Sequence, residues 1–323
     1  VGMCLRMIRP QFNIVNVLKT IKRENFHYGN LAVCGSVWTC PVCASKITEH
    51  RRLELVQGME TFKSRGGGVV LLTLTVPHYA NQKLKTVLDG INHAKRLLQN
   101  RKPYKRMCKA LMIIGDIKAT EVTYGENGWH PHFHILLFTG LPLTKGSFKS
   151  LQESILDMWQ KACATAGLPK PNEHGVSIGD GSKAASYASK WGLEHEMTKG
   201  HVKKGKVDGK TPFDLLRTFI ETEDPKWKKL FQEYAKSFKG KNQLVWSRGL
   251  RNILNLVMEK SDQEIAENVD EEAVLFAQLS PEVWKVILKK DKRAEVLNVC
   301  KQGIEAMQEF IIQLVETEME VET

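Results

Sequence analysis

Three histidines at alternating positions are the residues whose spacing points most clearly to chemistry. The stretch GWHPHFHILLF, residues 128–138, contains His130, His132 and His134. Alternate residues of an extended strand point to the same face of a sheet, so the three imidazoles share one face. The apolar residues around them indicate a strand that belongs to a buried core. One polar face of a core strand is therefore a candidate site.

A predicted hairpin brings a carboxylate to the same face. The sequence GENG, residues 125–128, has the composition of a turn that joins the preceding strand to the histidine strand. With Tyr124 opposite Trp129 across this turn, Glu121 lies opposite His132. Directly opposed residues of paired strands point to the same side of the sheet. The hairpin thus predicts a carboxylate beside the imidazoles.

The predicted convergence of Glu121, His132 and His134 is typical of a metal site. Two imidazoles and one carboxylate suit a divalent cation with open coordination positions. We expect Mg²⁺ or Mn²⁺, with oxygens of the substrate completing the coordination shell. The alternative is a solvated sheet face that carries polar side chains without a ligand.

Hydrophobic periodicity around this hairpin predicts an α+β domain. The predicted order is strand 67–76, helix 82–99, strand 110–124, strand 129–138, helix 147–166, strand 175–179 and helix 182–196. A βαββαβ order of this ferredoxin-like or palm-like type gives an antiparallel sheet with helices packed on one face. The other face is then expected to be free for a site.

The sequence downstream of this core is basic and mainly helical. Residues 197–212 are rich in glycine and lysine, which predicts a mobile loop, and residues 213–251 are predicted to be helical. Residues 281–316 predict a C-terminal helical region of three helices, and the glutamates after it are expected to be disordered. We expect four regions: 1–60 binding zinc, 61–200 forming the core, 201–255 as a basic extension and 256–323 as the C-terminal helices with an acidic tail.

Three clustered cysteines predict a zinc knuckle. Cys34, Cys40 and Cys43 have the spacing C-x5-C-x2-C, which is typical of structural zinc. His27 is the expected fourth ligand, with Cys4 and His50 as alternatives. The alternative is that these three cysteines are small buried hydrophobic residues without a metal. The remaining cysteines, Cys108, Cys163 and Cys300, are expected in the core.

The balance of charge favours a polyanionic partner. The 323 residues carry 47 Lys and Arg against 36 Asp and Glu, a net charge of +11. A basic body with an acidic C-terminus suggests nucleic acid, with solubility alone as the alternative. Basic residues after the cysteine cluster are expected to contact DNA phosphates: Lys46, Arg51 and Arg52. The sequence shows no transmembrane segment or secretory signal, so we expect a cytoplasmic protein without membrane contact.

These motifs together resemble the HUH endonucleases, in particular the replication initiators of bacterial rolling-circle plasmids. LLTLTVPH resembles their first motif, GWHPHFHILLF the second and AASYASKWGLEHEMTKGHVKKG the third. CGSVWTCPVCASKI, TPFDLLR and EYAKSFKGKNQLVWSRGL are also similar to family segments. The resemblance covers roughly residues 27–251 and leaves out the C-terminal helices.

The resemblance assigns catalytic roles to the predicted helix 182–196. It implies that Tyr187 attacks the scissile phosphate, keeps the 5′ end as a phosphotyrosine and frees a 3′-OH that primes synthesis. Lys190 lies one turn away, where its charge favours the phenolate. Glu194 is the candidate for activating water at termination, with Glu196 and Asp180 as alternatives. From spacing alone, Tyr187 could equally be a half-buried aromatic residue.

The implied function is metal-dependent nicking and strand transfer at a plasmid origin. The implied partners are the double-strand origin, single-stranded at the nick, a host helicase and polymerase, and a second copy in a homodimer. Further DNA contacts are expected from the basic loop and from the region after it: Lys199, Lys203, Lys204, Lys206 and Arg248. The alternatives are a related transposase or relaxase, or a non-catalytic zinc-dependent DNA-binding regulator.

Overall fold

The strands of the chain form two separate antiparallel sheets, one in each of two compact units. The computed structural model describes residues 2–21, 25–181, 209–267 and 272–322. The smaller unit joins residues 1–36 to residues 260–323, and the larger unit comprises residues 37–259. Residues of the expected N-terminal region 1–60 are therefore shared between the two units.

The described part of the chain contains helices and strands throughout its length. In chain order they are β1 (Val15–Thr20), β2 (Phe26–Gly29), α1 (Pro41–Ser64), β3 (Gly68–Leu74), α2 (Leu84–Asn100), α3 (Lys102–Ala110), β4 (Gly115–Gly125), β5 (Gly128–Thr139), α4 (Lys145–Thr165), β6 (Val176–Asp180), α5 (Pro212–Thr222), α6 (Pro225–Phe238), β7 (Leu244–Trp246), α7 (Leu250–Ile253), α8 (Asp262–Glu267), β8 (Ala273–Leu279), α9 (Pro281–Lys289), α10 (Arg293–Val299) and α11 (Ile304–Glu322). Within the described ranges, no helix is both long and apolar enough to cross a bilayer.

The sheet of the larger unit confirms the predicted fold class. Its five strands have the order β6-β3-β5-β4-β7, and every neighbouring pair is antiparallel. The predicted βαββαβ series corresponds to β3, α2, β4, β5, α4 and β6. The sequence analysis missed α3, and it missed β7, which lies within the range 213–251 that was predicted to be helical. A strand of only three residues leaves too short a pattern to recognise.

Helices α2 and α4 bury one face of this sheet. Phe133 and Ile135 point toward them, and Trp159 on α4 is fully buried in the same cluster. The indole Nε1 of Trp159 also donates a 2.9 Å hydrogen bond to the carbonyl of Thr75, which follows β3. This helix layer therefore fixes the strands from the side opposite the histidines.

The opposite face is only partly open, which corrects the expectation that helices pack on one side alone. Helix α1, which the sequence analysis did not predict, contributes Leu55, Met59 and Phe62 to a second cluster against this face. The ring of Phe62 meets that of Phe138 edge-on at 5.3 Å between centroids. The apolar end of β5 is thus covered, and the described residues leave the histidine end of the same face available.

Ion pairs anchor α1, and they correct the predicted role of Arg51. Arg51 is only 6% exposed. Its Nη1 lies 3.3 Å from an oxygen of Glu54 and 3.1 Å from one of Glu259. Glu54 also forms an ion pair with Arg251, with 2.7 Å between Oε1 and Nη2. Because Arg51 is buried among carboxylates, it holds the helix in place and does not present its charge to DNA phosphates.

Replacing Glu54 with Gln should destabilise the larger unit by about 3 kcal/mol, because two arginines lose their buried counter-charge. Burial raises the pKa of Glu54, but the hydrogen bond from Arg251 and the charges of Arg251, Arg51 and His50 together outweigh it and leave the pKa below its ordinary value. A carboxylate with a lowered pKa stabilises the fold above its ordinary pKa and loses that effect as the pH falls. The difference in unfolding free energy between wild type and Glu54→Gln, measured by urea denaturation, should therefore shrink in acid. An equal difference at all pH values would contradict this assignment.

The smaller unit has its own sheet and core. Its strands have the order β2-β1-β8, and β1 and β8 pair although they lie at opposite ends of the chain. The three C-terminal helices were predicted correctly. The expected disorder after them was wrong, because α11 continues to Glu322. Glu318 pairs there with Lys289, the last residue of α9, and with Lys290, which follows it, so part of the acidic end is neutralised within the unit.

Candidate functional site

The register of the β4–β5 hairpin is the one predicted from its turn. Glu121 lies opposite His132, and Ala119 lies opposite His134. The turn depends on Gly128, whose φ is +83° and whose position would bring a Cβ within 2.8 Å of the Cα of Ala80. Glycine avoids both the strain of the left-handed conformation and this clash. The backbone thus sets the alignment of the polar residues.

Glu121 is the centre of the polar cluster. Its Oε2 lies 3.1 Å from Nε2 of His132 and 3.4 Å from Nε2 of His134. The two imidazoles are 15% and 14% exposed, and the carboxylate is 28% exposed. The three groups are therefore largely shielded by the protein while one side of the cluster still reaches solvent.

The histidines keep the Glu121 carboxylate ionised. Burial raises the pKa of Glu121, but hydrogen bonds and charge from His132 and His134 outweigh it and lower the pKa to about 2. A carboxylate with such a pKa carries its charge throughout the neutral range. The cluster thus offers one permanent negative charge beside two nitrogen donors.

Two threonines of the β3 segment support the histidines, and the sequence analysis did not identify them. Thr73 Oγ1 lies 2.9 Å from Nδ1 of His134, and Thr75 Oγ1 lies 2.6 Å from Nε2 of His130. When His134 presents the lone pair of Nε2, its Nδ1 carries the proton and donates it to the Thr73 hydroxyl. The threonine thereby fixes the direction of the ring.

His130 lies beside the cluster but outside it. Its ring stacks on that of His78 with 4.5 Å between centroids and 12° between planes. Burial, together with the charges of His132 and His78, lowers the pKa of His130 to about 4. His130 is therefore neutral at physiological pH, and its ring lies next to the Glu121 group.

The Glu121 group fits a divalent cation. The ligand atoms of Glu121, His132 and His134 all lie within 4.8 Å of one another. Ligands about 2.1 Å from an octahedral ion are about 3 Å apart, which is close to the observed separations. A carboxylate with two imidazoles is a donor set for Mg²⁺, Mn²⁺ or a transition metal with open positions.

Replacing Thr73 with Val should lower metal affinity by roughly 10- to 100-fold, the usual effect of losing a hydrogen bond that orients a histidine ligand. Isothermal titration with Mn²⁺ measures this directly. Thr120→Val is the matched control, since Thr120 lies opposite Phe133 and points to the other face of the sheet. Equal Mn²⁺ affinity in the two variants would show that Thr73 does not orient His134.

The remaining predicted site residues have different outcomes. Asp180 pairs with Val70, away from Thr73 along β3, so it does not join the Glu121 group. Arg248 is exposed in the turn before α7, and Lys46 is half-buried on α1. The other predicted catalytic and DNA-binding residues of the third motif lie outside the described residues: Tyr187, Lys190, Glu194, Glu196, Lys199, Lys203, Lys204 and Lys206.

Arg52 is exposed enough to reach a ligand but already has a partner. Its guanidinium forms two hydrogen bonds of 2.6 and 2.7 Å with the carboxylate of Glu49. A phosphate would therefore have to replace this carboxylate. The predicted contact of Arg52 with DNA stays a prediction.

Each unit contains one pair of neighbouring predicted thiol ligands. In the larger unit, Cys40 is the N-cap of α1 and Cys43 lies in its first turn, and both are buried with sulfurs within 4.8 Å. In the smaller unit, the sulfur of Cys34 lies within 4.8 Å of that of Cys4. His27 instead belongs to β2, where it pairs with Leu18, and it is not grouped with Cys34. The position of Cys4 therefore corrects the first choice of His27 and favours Cys4, which the sequence had left as an alternative.

Comparison with known sequences identifies the family. A sequence family described as "Replication protein" matches residues 29–292, which is most of the chain. The chain belongs to this replication protein family. It is 27% identical over 291 residues to "Protein rep" of Streptomyces lividans, covering 69% of this chain and 64% of that protein.

Two further relatives match shorter parts of the chain. "Protein rep" of Bacillus amyloliquefaciens is 32% identical over 104 residues, 30% of this chain and 28% of that protein. "Neomycin resistance protein" of Streptomyces cyanogenus is 29% identical over 135 residues, 34% of this chain and 31% of that one. The chain thus spans less than two thirds of the length of each of these relatives.

A solved structure is also similar in part. It is the N-terminal nuclease domain of non-structural protein 1 of minute virus of mice, at 13% identity and a TM-score of 0.20. The match covers 58% of this chain and 98% of that domain. A score this low supports no inference about fold or chemistry.

Proposed function

We propose that this chain is a rolling-circle replication initiator that nicks one strand of a plasmid origin in a metal-dependent reaction. The observation that carries this proposal is the convergence of Glu121, His132 and His134 on one open sheet face. Membership of a replication protein family supports it, as does the net charge of +11, which suits a DNA partner.

The cluster would hold the catalytic Mg²⁺ or Mn²⁺. When bound, the ion would supply Lewis-acid polarisation of the scissile phosphate. Glu121 contributes the negative charge that retains a cation, and the two imidazoles contribute nitrogen donors. Thr73 keeps the His134 ring aligned, so the donors are oriented before the substrate arrives.

Tyr187 is the proposed nucleophile. Its phenolate oxygen attacks the scissile phosphorus, the bond to the 3′ oxygen breaks, and that oxygen leaves as a 3′-OH after taking a proton. The 5′ phosphate stays on the tyrosine as a phosphodiester, which conserves the energy of the bond for later strand transfer. Lys190 is proposed to favour the phenolate, and Glu194 to activate the group that resolves the adduct.

The alternatives are less consistent with the observations. A non-catalytic zinc-dependent regulator would have no use for a carboxylate held between two histidines on an open face. A transposase or relaxase could share this chemistry, but the family match favours replication. Host helicase, host polymerase and a homodimeric state are proposed as partners of the reaction, with the basic loop containing Lys203 and Lys204 contacting DNA near the nick.

Nicking of a supercoiled plasmid tests the proposal. Protein and Mn²⁺ should convert a supercoiled plasmid that carries the origin recognised by this protein to the relaxed form. The protein should then be attached to the nicked strand. A plasmid without the origin and a reaction with excess chelator are the controls. Relaxation that is equally fast in chelator would exclude the metal-dependent mechanism.

We also propose a structural zinc bound by Cys34, Cys40 and Cys43. Cys40 and Cys43 are buried at the start of α1 with their sulfurs close together, as thiolate ligands of a closed site are. Cys4 is the favoured fourth ligand because its sulfur neighbours that of Cys34.

The purified protein should therefore contain about one zinc per chain, because four thiolates form a closed tetrahedral site. Cys40→Ser should lose the metal and fold less stably, as measured by elemental analysis and thermal unfolding. Cys108→Ser is the control, since Cys108 packs beside the core of the larger unit. Full zinc content in Cys40→Ser, or none in active wild-type protein, would contradict the site.

A further inference from the structure

A basic groove of the larger unit lies on the sheet face opposite the histidines. A groove of about 460 Å³ runs between α2, β4 and the loop after α6. Lys118 and Thr120 line it from β4, and they alternate with Ala119 and Glu121 along the strand. Alternate residues point to opposite faces, so the groove is separate from the Glu121 group.

Cations from three elements meet in this groove. Its polar lining consists of Asn92, Arg96, Lys118, Thr120, Lys241 and Asn242, together with Asp89. Asp89 is already paired at 2.5 Å with Lys85. The lining therefore combines net positive charge with amide and hydroxyl donors, which are the groups that bind phosphate oxygens.

Lys118 is held in place without an acidic partner. Its Nζ donates a 3.1 Å hydrogen bond to Asn92 Oδ1 and lies 4.3 Å from the centre of the Phe133 ring. Over the ranges that the structure describes, no carboxylate forms an ion pair with Lys118, Arg96 or Lys241. Asp116, the acidic group nearby, pairs with Lys95 at 3.8 Å.

The cations also repel one another. Burial and the charges of Lys95, Lys241 and Arg96 together lower the pKa of Lys118 to about 8, against the opposing effect of Asp116. A binding anion would relieve this repulsion, because an opposite charge within a few ångströms favours the protonated amine. The unbalanced positive charge of the groove therefore favours binding of a phosphate group.

We infer that Arg96, Lys118 and Lys241 form a second DNA-binding surface that contacts the phosphodiester backbone away from the nicking site. This inference goes beyond the proposed nicking chemistry, and it rests on the proposed function only in taking DNA as the polyanion. The lining has no exposed aromatic ring on which a base could stack, since Phe238 is fully buried. Contacts to the backbone without base recognition are therefore expected.

Removal of two exposed charges tests this surface without disturbing the half-buried Lys118. Arg96→Gln/Lys241→Gln should weaken binding of duplex DNA by at least about fivefold near 0.1 M salt, and should reduce the slope of log affinity against log salt by about 1.8. Lys102→Gln/Lys105→Gln, two exposed lysines on α3, is the control of equal charge. Arg96→Lys/Lys241→Arg should restore binding.

Three outcomes would overturn the inference. One is an unchanged salt slope in Arg96→Gln/Lys241→Gln, and another is an equal loss in the α3 control, which would indicate bulk charge alone. The third is displacement of DNA from the groove by inorganic phosphate at low millimolar concentration, which would indicate a small-anion site. Absence of cleavage in wild type would contradict the nicking proposal instead, independently of the salt slope.

Discussion

Replacing His132 or His134 with Ala should reduce nicking by roughly 10³-fold while leaving the fold intact. A Lewis acid is worth several kcal/mol at a phosphate, and each 1.4 kcal/mol changes a rate tenfold. The fold should survive because both imidazoles lie on the open end of the sheet face, outside the hydrophobic clusters that bury β5. Initial rates of plasmid relaxation in Mn²⁺, with circular dichroism as a check on folding, provide the measurement.

The matched control for these substitutions is His174→Ala. The side chain of His174 is 83% exposed and neighbours Glu173. Its replacement therefore removes a histidine from the same unit without changing the Glu121 group. It should nick at the wild-type rate. Full activity in the double variant His132→Ala/His134→Ala would remove the basis of the proposed metal site.

The second large effect is expected at Tyr187. Tyr187→Phe should bind origin DNA and Mn²⁺ as wild type does, yet form no covalent complex, because an aromatic ring without its hydroxyl has no oxygen to attack phosphorus. Denaturing gel electrophoresis of labelled DNA detects the adduct, and Tyr79→Phe, at a tyrosine that is 53% exposed, is the control. An adduct that persists in Tyr187→Phe would assign the nucleophile to another residue.

The parts of the site that could be predicted are those linked by short stretches of chain. A tight turn fixes the register of a hairpin, so the pairing of Glu121 with His132 followed from the sequence of the turn alone. Thr73 lies 61 residues from His134. No local signal sets the register between strands so far apart. The alternating threonines of LTLTVP in the β3 segment indicate only that one face of this strand is polar.

The unpredicted elements depend on tertiary contacts. Helix α1 lacks a clear apolar stripe because Arg51 and Glu54 occupy buried positions within it. These two charges pair with each other and also with residues far along the chain, Glu259 and Arg251. Strand β1 pairs with β8 across more than 250 residues. Periodicity within a window cannot reveal either arrangement.

The most direct test of the central claim is to label the two sides of the nick separately. A single-stranded origin oligonucleotide is incubated with wild-type protein and Mn²⁺, and each product is analysed by denaturing electrophoresis and by peptide mass spectrometry. We expect the fragment on the 3′ side of the nick to carry protein on its 5′ phosphate at Tyr187, and the other fragment to end in a 3′-OH that a polymerase extends. Protein attached to a 3′ phosphate, or cleavage that yields no protein-linked fragment while His132→Ala cleaves equally well, would contradict the account.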